Sequence, residues 1–151
     1  MSLTITQESP LTGDANRLIQ GSQADLRSVY TADECFSFSA RQLDLPEIRF
    51  FVARKDRAAL GCVALCDCGS YAEVKRLFVT PEGRRLGLGR KLMSHLEAQA
   101  KFSGTAVIRL ETGQKLAAAV ALYKSIGYEA RGPFGNYSAH AASLFMEKSL
   151  K

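Results

Sequence analysis

No stretch of this 151-residue chain comes near the ~20 consecutive apolar residues that a membrane-spanning helix needs. Its first residues, Met1 to Thr6, have no basic segment leading into an apolar block, so no secretory leader is read there. Cysteine and histidine are scarce, at four and two. Cys66 and Cys68 form a C-x-C pair, which lacks the doubled C-x₂-C spacing of a zinc ribbon or finger. His95 and His140 have no cysteine or carboxylate partner at ligand spacing. Cys62 and Cys66 lie in an apolar run and read as small buried hydrophobes. The expectation is therefore a cytoplasmic chain with no membrane partner, no structural metal and no disulfide framework. Internal repeats and low-complexity tracts are also lacking. With 46% hydrophobic and 23% charged residues, the composition excludes disorder as the main state, and the length fits one domain over residues 1–151.

Charge is present, and it is unevenly placed. The formal net charge is +5. Residues 1–70 carry seven Lys/Arg against nine Asp/Glu, and residues 71–151 carry thirteen against six. Within 75–91 alone, Lys75, Arg76, Arg84, Arg85, Arg90 and Lys91 face a single acid, Glu82. Such a cluster serves either as a solvated face or as an anion site.

Hydrophobic patterning divides the chain into strands and helices. Residues 3–8 read as a short strand. Thr12 or Asp14 caps a helix running to about Tyr30, which Gly21 can bend or split. Residues 31–47 read as a short helix and loop ending at Pro46. Arg49–Arg54 and Ala59–Cys66 flank the polar turn Lys55-Asp56-Arg57 as a hairpin, and Ala72–Val79 is a third strand stopped by Pro81. Leu88, Leu92, Leu96 and Ala100 then recur at helical spacing, with Gly104 closing the helix. A strand at Thr105–Thr112 and a helix at Gln114–Ile126 follow, the helix showing one face of Ala118, Ala119, Leu122 and Ile126. Tyr128–Arg131 and Ser143–Lys148 are two last strands around the loop 132–142. The order is that of a mixed α/β layered domain.

Arg84-Arg85-Leu86-Gly87-Leu88-Gly89 falls between a strand end and a helix start. A helix start offers unpaired backbone N–H groups and the positive end of the dipole. Glycines at 87 and 89 let a ligand approach the backbone. Arg84, Arg85 and Arg90 add charge, making a phosphate cradle. The segment is neither a dinucleotide fingerprint, since position 92 is Leu, nor a P-loop, since Arg90-Lys91 follows Gly89. Taken alone, a G-x-G before a helix is equally well a tight turn.

With these residues the chain resembles the GCN5-related N-acetyltransferase (GNAT) family, whose signature Gln/Arg-x-x-Gly-x-Gly/Ala corresponds to Arg84–Gly89. The likeness extends to Glu73–Pro81, Leu110–Gly113, Ala121–Tyr128, Pro133–Tyr137 and Phe145–Lys148. It implies the α/β GNAT fold: a mixed, mostly antiparallel sheet of six to seven strands, flanked by about four helices. In that fold the strands at 71–79 and 105–112 splay apart to form an acetyl-CoA slot. The resemblance also implies acetyl-CoA as co-substrate. Its pyrophosphate would lie on the backbone N–H groups from Arg85 through Leu86, Gly87, Leu88 and Gly89 to Arg90, with Arg84 alongside. Its pantetheine arm would run along Leu77, Phe78 and Val79 as an added strand. Where many members carry an Asn on this arm, the chain has Leu116, with Gln114 or Lys115 as substitutes.

Family placement makes Tyr123 the candidate acid toward the leaving thiolate. Glu73 is the candidate base, directly or through a water, or else an ion-pair partner of Lys75 or Arg109. Glu111 is the rival base on the acceptor side. A backbone N–H near Phe78 or Val79 would stabilise the oxyanion. Tyr137, Phe36 and Phe38 are candidates for the acceptor pocket, and Arg41 for holding an acceptor carboxylate. The leading expectation is an N-acetyltransferase acting on a small amine or amino-acid-like acceptor. The alternatives are a protein acetyltransferase and a non-catalytic acyl-CoA sensor. No nucleic-acid-binding motif is present, and a homodimer is compatible with the family, in which dimers are common.

Overall fold

The computed structural model describes residues 2–30 and 39–151. Along the chain lie β1 (Leu3–Gln7), α1 (Gly13–Val29), α2 (Ala40–Leu43), β2 (Ile48–Lys55), β3 (Ala58–Asp67) and β4 (Ala72–Val79). Next come α3 (Pro81–Arg84), α4 (Leu88–Phe102), β5 (Val107–Gly113), α5 (Ala117–Ser125), β6 (Glu129–Arg131) and β7 (Ser143–Ser149). The strands form one sheet in the order β1-β2-β3-β4-β5-β7-β6. Neighbours run antiparallel except β4 and β5, which are parallel. The mixed sheet agrees with the expected fold.

Alternation along β2 and β3 sends side chains to two cores. Phe51, Ala53, Val63 and Leu65 join Leu88, Leu92, Met93, Leu96 and Ala100 of α4 on one face. Phe50, Val52, Cys62 and Ala64 join Ala15, Leu18 and Ile19 of α1 on the other. Each Val, Leu, Ile, Phe or Met among them contributes about 1.5–3 kcal/mol by leaving water, so both helices are fixed to the sheet by packing. Thr12 caps α1 by accepting the Ala15 N–H. The helix continues through Gly21 without a break, because glycine there makes room for the Phe78 ring: a Cβ would lie 2.7 Å from it.

Strand β4 is irregular along both of its edges. Cys62 pairs with Phe78 and Ala64 with Lys75, so Arg76 and Leu77 together face Val63. This is a β-bulge, and Arg76 takes φ +56° within it. Its guanidinium is held by Ser22 Oγ at 3.1 Å and Gln23 Oε1 at 2.7 Å, both on α1. On the other edge, β4 pairs with β5 at three positions only: Ala72 with Ile108, Glu73 with Arg109 and Val74 with Leu110. Beyond these the strands separate, while β5 stays paired to β7 as far as Gly113 and Ser143. This is the expected splay.

Some expectations need correction. The single turn α3, capped by Thr80 with proline in its first turn, lies where only a strand stop was expected. Helix α5 starts at Ala117, three residues later than expected. Its buried side chain is Tyr123, whereas Ala118 and Leu122 face the cleft instead of joining Ile126 in the core. Cys66 is only half-buried and Cys68 is exposed. The expected helix and loop at 31–47 is represented by α2 and the turn after it. Phe36 and Phe38 lie outside the described residues.

Candidate active site

A cleft of about 810 Å³ opens where β4 and β5 part. Its walls are the outer half of β4, the end of β5, the C-terminal half of α1, the starts of α4 and α5, and Tyr137 from the 132–142 loop. Leu77, Phe78, Val79, Arg84, Gly87, Gly89, Arg90, Glu73, Glu111, Tyr123 and Tyr137 all line it. The sheet thus brings together residues separated by more than sixty positions.

One end of the cleft presents backbone N–H groups and arginines. Gly87 takes the left-handed conformation, φ +68°, and caps α4 with no side-chain bond. The first intrahelical bond runs from the Lys91 N–H to the Gly87 carbonyl, so the N–H groups of Leu88, Gly89 and Arg90 precede the ladder. Within the segment expected to form the cradle, the N–H groups differ in their engagement. The N–H groups of Arg85 and Leu86 are turned onto the Gly83 carbonyl, neither residue lines the cleft, and the Leu88 side chain is fully buried in the core. Arg84 reaches across to Asp25 of α1 at 3.0 Å and also donates to the Val79 carbonyl at 3.2 Å. Arg90 donates to Ser125 Oγ at 2.9 Å. Leu116, at the position of the usual family Asn, lines the cleft with an apolar side chain. Gln114 bonds instead to the Ser143 carbonyl, and the Lys115 backbone N–H bonds to the Tyr30 hydroxyl.

The other end holds the titratable groups. Glu73 and Lys75 project from the same face of β4, as their two-residue spacing requires. Lys75 Nζ lies 2.9 Å from Glu73 Oε2, with side chains 10% and 7% exposed. The Tyr137 hydroxyl donates to the same Glu73 oxygen at 2.6 Å and accepts from Lys75 Nζ at 3.0 Å. Burial, and then the bond to Glu73, push the Tyr137 phenol well above its ordinary value. Glu73 is thus engaged as the ion-pair partner of Lys75, whereas Arg109 pairs with Glu147. Glu111 accepts one hydrogen bond, from Ser143 Oγ at 2.8 Å. Burial pushes its carboxyl up to about 7, and the Glu73 charge adds to this against Ser143 and Lys75. Tyr123 is buried, and burial together with the Glu111 charge raises its phenol far above the usual range. Arg41 is exposed on α2 and does not line the cleft, so the expected carboxylate-binding role is not supported.

Lys75, Ser143 and Tyr30 were not singled out as site residues. Glu73-x-Lys75 is a same-face pair on a strand and was open to detection. Ser143 and Tyr30 meet β5 only through the tertiary fold. No group of three or more His, Cys, Asp or Glu able to hold a metal occurs among the described residues. No helix among them is long and apolar enough to cross a membrane.

A parted parallel strand pair, a bare helix start and a buried acid–phenol pair meet in one cleft. A family model of the acetyltransferase (GNAT) domain matches residues 46–130. An "IAA acetyltransferase" of Azospirillum brasilense is 40% identical over 151 residues, covering 99% of each chain. The crystal structure of a proposed acyl-CoA N-acyltransferase from Klebsiella pneumoniae superposes with TM-score 0.83 at 30% identity, covering 99% of this chain and 98% of that one. The PaiA N-acetyltransferase of Thermoplasma acidophilum, crystallised with coenzyme A, shares the fold at TM-score 0.79 and 21% identity, with 99% of each chain covered. The chain belongs to the GNAT acetyltransferase family.

Proposed function

We propose that this acetyltransferase moves the acetyl group of acetyl-CoA directly to the amine of a small molecule, in the cytoplasm. The observation that carries the reading is the arrangement of the cleft. An anion cradle at α4, an unpaired β4 edge and two titratable groups, Glu111 and Tyr123, line one continuous space. The N–H groups of Leu88 to Arg90 hold the pyrophosphate, and Arg84 exchanges Asp25 for a phosphate oxygen. The backbone of Leu77 to Val79 pairs with the pantetheine arm.

Glu111 takes the proton of the acceptor ammonium. Glu73, already bonded to Lys75 and Tyr137, positions the 132–142 loop. As the amine nitrogen bonds to the thioester carbon, a β4 N–H near Phe78 or Val79 stabilises the oxyanion. The carbon–sulfur bond then breaks, Tyr123 donates its proton to the departing thiolate, and the phenolate so formed recovers a proton from the nitrogen as the neutral amide is released. Raised by burial, its phenol is a weak acid toward water, yet it still has a proton to give to a thiolate held beside it.

Thiol release from acetyl-CoA across a panel of amines tests the reading, alongside thermal melting with acetyl-CoA alone. A melting shift together with amine-dependent thiol release is the expected result. A shift with no turnover on any amine identifies a sensor, and no shift at millimolar acetyl-CoA removes the donor.

A further inference from the structure

The acceptor end of the cleft is rich in carboxylates, and the positive charge that lines it is already engaged, with Lys115 lying over the Tyr30 ring outside the lining. Glu73, Glu111, Lys75, Tyr137 and Tyr30 face it, giving two carboxylates to one ammonium. Lys75 is bound to Glu73 at 2.9 Å and to Tyr137 at 3.0 Å. The other cations that line the cleft are engaged elsewhere. Arg76 is held on Ser22 and Gln23, and Arg84 and Arg90 flank the α4 cradle. By sequence, the 132–142 loop contains no lysine or arginine. The aromatic lining at this end is Tyr30, Tyr123 and Tyr137, with Phe134 and Phe145 supporting Tyr137 without lining the cleft. Tyr137 packs edge-on to Phe134 at 5.2 Å and tilted against Phe145 at 5.5 Å. Aromatic faces attract cations and apolar bodies and give a carboxylate nothing.

Resting on the acetyl-transfer reading, we propose that the acceptor is a primary amine whose body carries no carboxylate, and that the Glu73–Lys75 pair sets this preference. An acceptor ammonium meets Glu111 and the aromatic wall. The carboxylate of an amino acid would enter beside Glu73 and Glu111 without a counter-ion, because the cation nearest to it is neutralised by Glu73. Were Glu73 absent, Lys75 would offer that carboxylate a counter-ion. The pair therefore acts on specificity, separately from the proton transfer assigned to Glu111.

Matched acceptors test this at saturating acetyl-CoA: tyramine against tyrosine, tryptamine against tryptophan, and 1,5-diaminopentane against lysine. The carboxylate-free member of at least one pair is expected to show a kcat/KM ten or more times higher. Comparable or better use of the amino acids in every pair that turns over overturns the proposal while leaving acetyl transfer standing. No thiol release from any acceptor overturns both. Glu73→Gln is expected to shrink the amine-over-amino-acid ratio, chiefly by lowering KM for the amino acid. Lys75→Gln, of opposite sign, should enlarge the ratio. A purely structural role would lower turnover of both partners equally and leave the ratio unmoved in both variants, which would remove the pair as the determinant.

Discussion

Glu111 takes part in two linked pH effects. As the proposed base it must be ionised, so kcat/KM is expected to rise with pH through about 7, the value to which burial pushes its carboxyl. A pH–rate profile should keep that limb in Glu73→Gln and lose it in Glu111→Gln. The same shift acts on stability. Between the ordinary value of 4.5 and about 7, the folded state keeps a proton that the unfolded chain has released, so stability falls as pH rises through that window. Urea midpoints across pH 4 to 8 should show this slope, and Glu111→Gln should flatten it. At the opposite wall, Tyr123→Phe should cut kcat by roughly 10²-fold or more while leaving acetyl-CoA affinity intact; unchanged turnover would remove Tyr123 from the chemistry. Both carboxylates and this tyrosine could be picked out along the chain. Ranking Glu111 above Glu73 could not be done there, because it depends on Ser143 and Tyr137. These lie 32 and 64 residues from their partners and are brought in by strand pairing.

Among the elements, those with strong hydrophobic periodicity were legible: the β2–β3 hairpin, β4, and the Leu88–Ala100 stripe of α4. Helix α3 carried a readable signal, Thr80 followed by Pro81 and an acid, a cap and a first turn. The bulge at Arg76 carried none, since it arises from how β3 and β4 register and from the hold of α1 on the arginine. Contact between α1 and β4 leads to a prediction about Gly21. Gly21→Ala gains about 1 kcal/mol of helix propensity but drives a Cβ to 2.7 Å from the end of the Phe78 ring. That ring borders the cleft and can move into it. Stability should therefore change by less than about 1 kcal/mol, while KM for acetyl-CoA rises several-fold. A large loss of stability with unchanged KM would show that the ring cannot yield.

For the molecule as a whole, the net +5 becomes a local property once the chain is folded, with Arg84 and Arg90 flanking the α4 start and Lys75 neutralised at the acceptor end. Acetyl-CoA at a hundred times its Kd should add about 2.7 kcal/mol of stability, a rise of several degrees in Tm. The sheet itself is joined across its middle by only three rungs, Ala72–Val74 against Ile108–Leu110. Mechanically it is two leaves on a short spine, β1 to β4 on one side and β5, β7 and β6 on the other. A donor arm lying along β4 becomes a strand that the gene does not encode, replacing the absent rungs for as long as it stays. Hydrogen exchange should therefore slow on acetyl-CoA binding at residues 75–79 and 111–113 and stay unchanged in β1 and β2, so the enzyme is stiffest while loaded and loosens when the thiol departs.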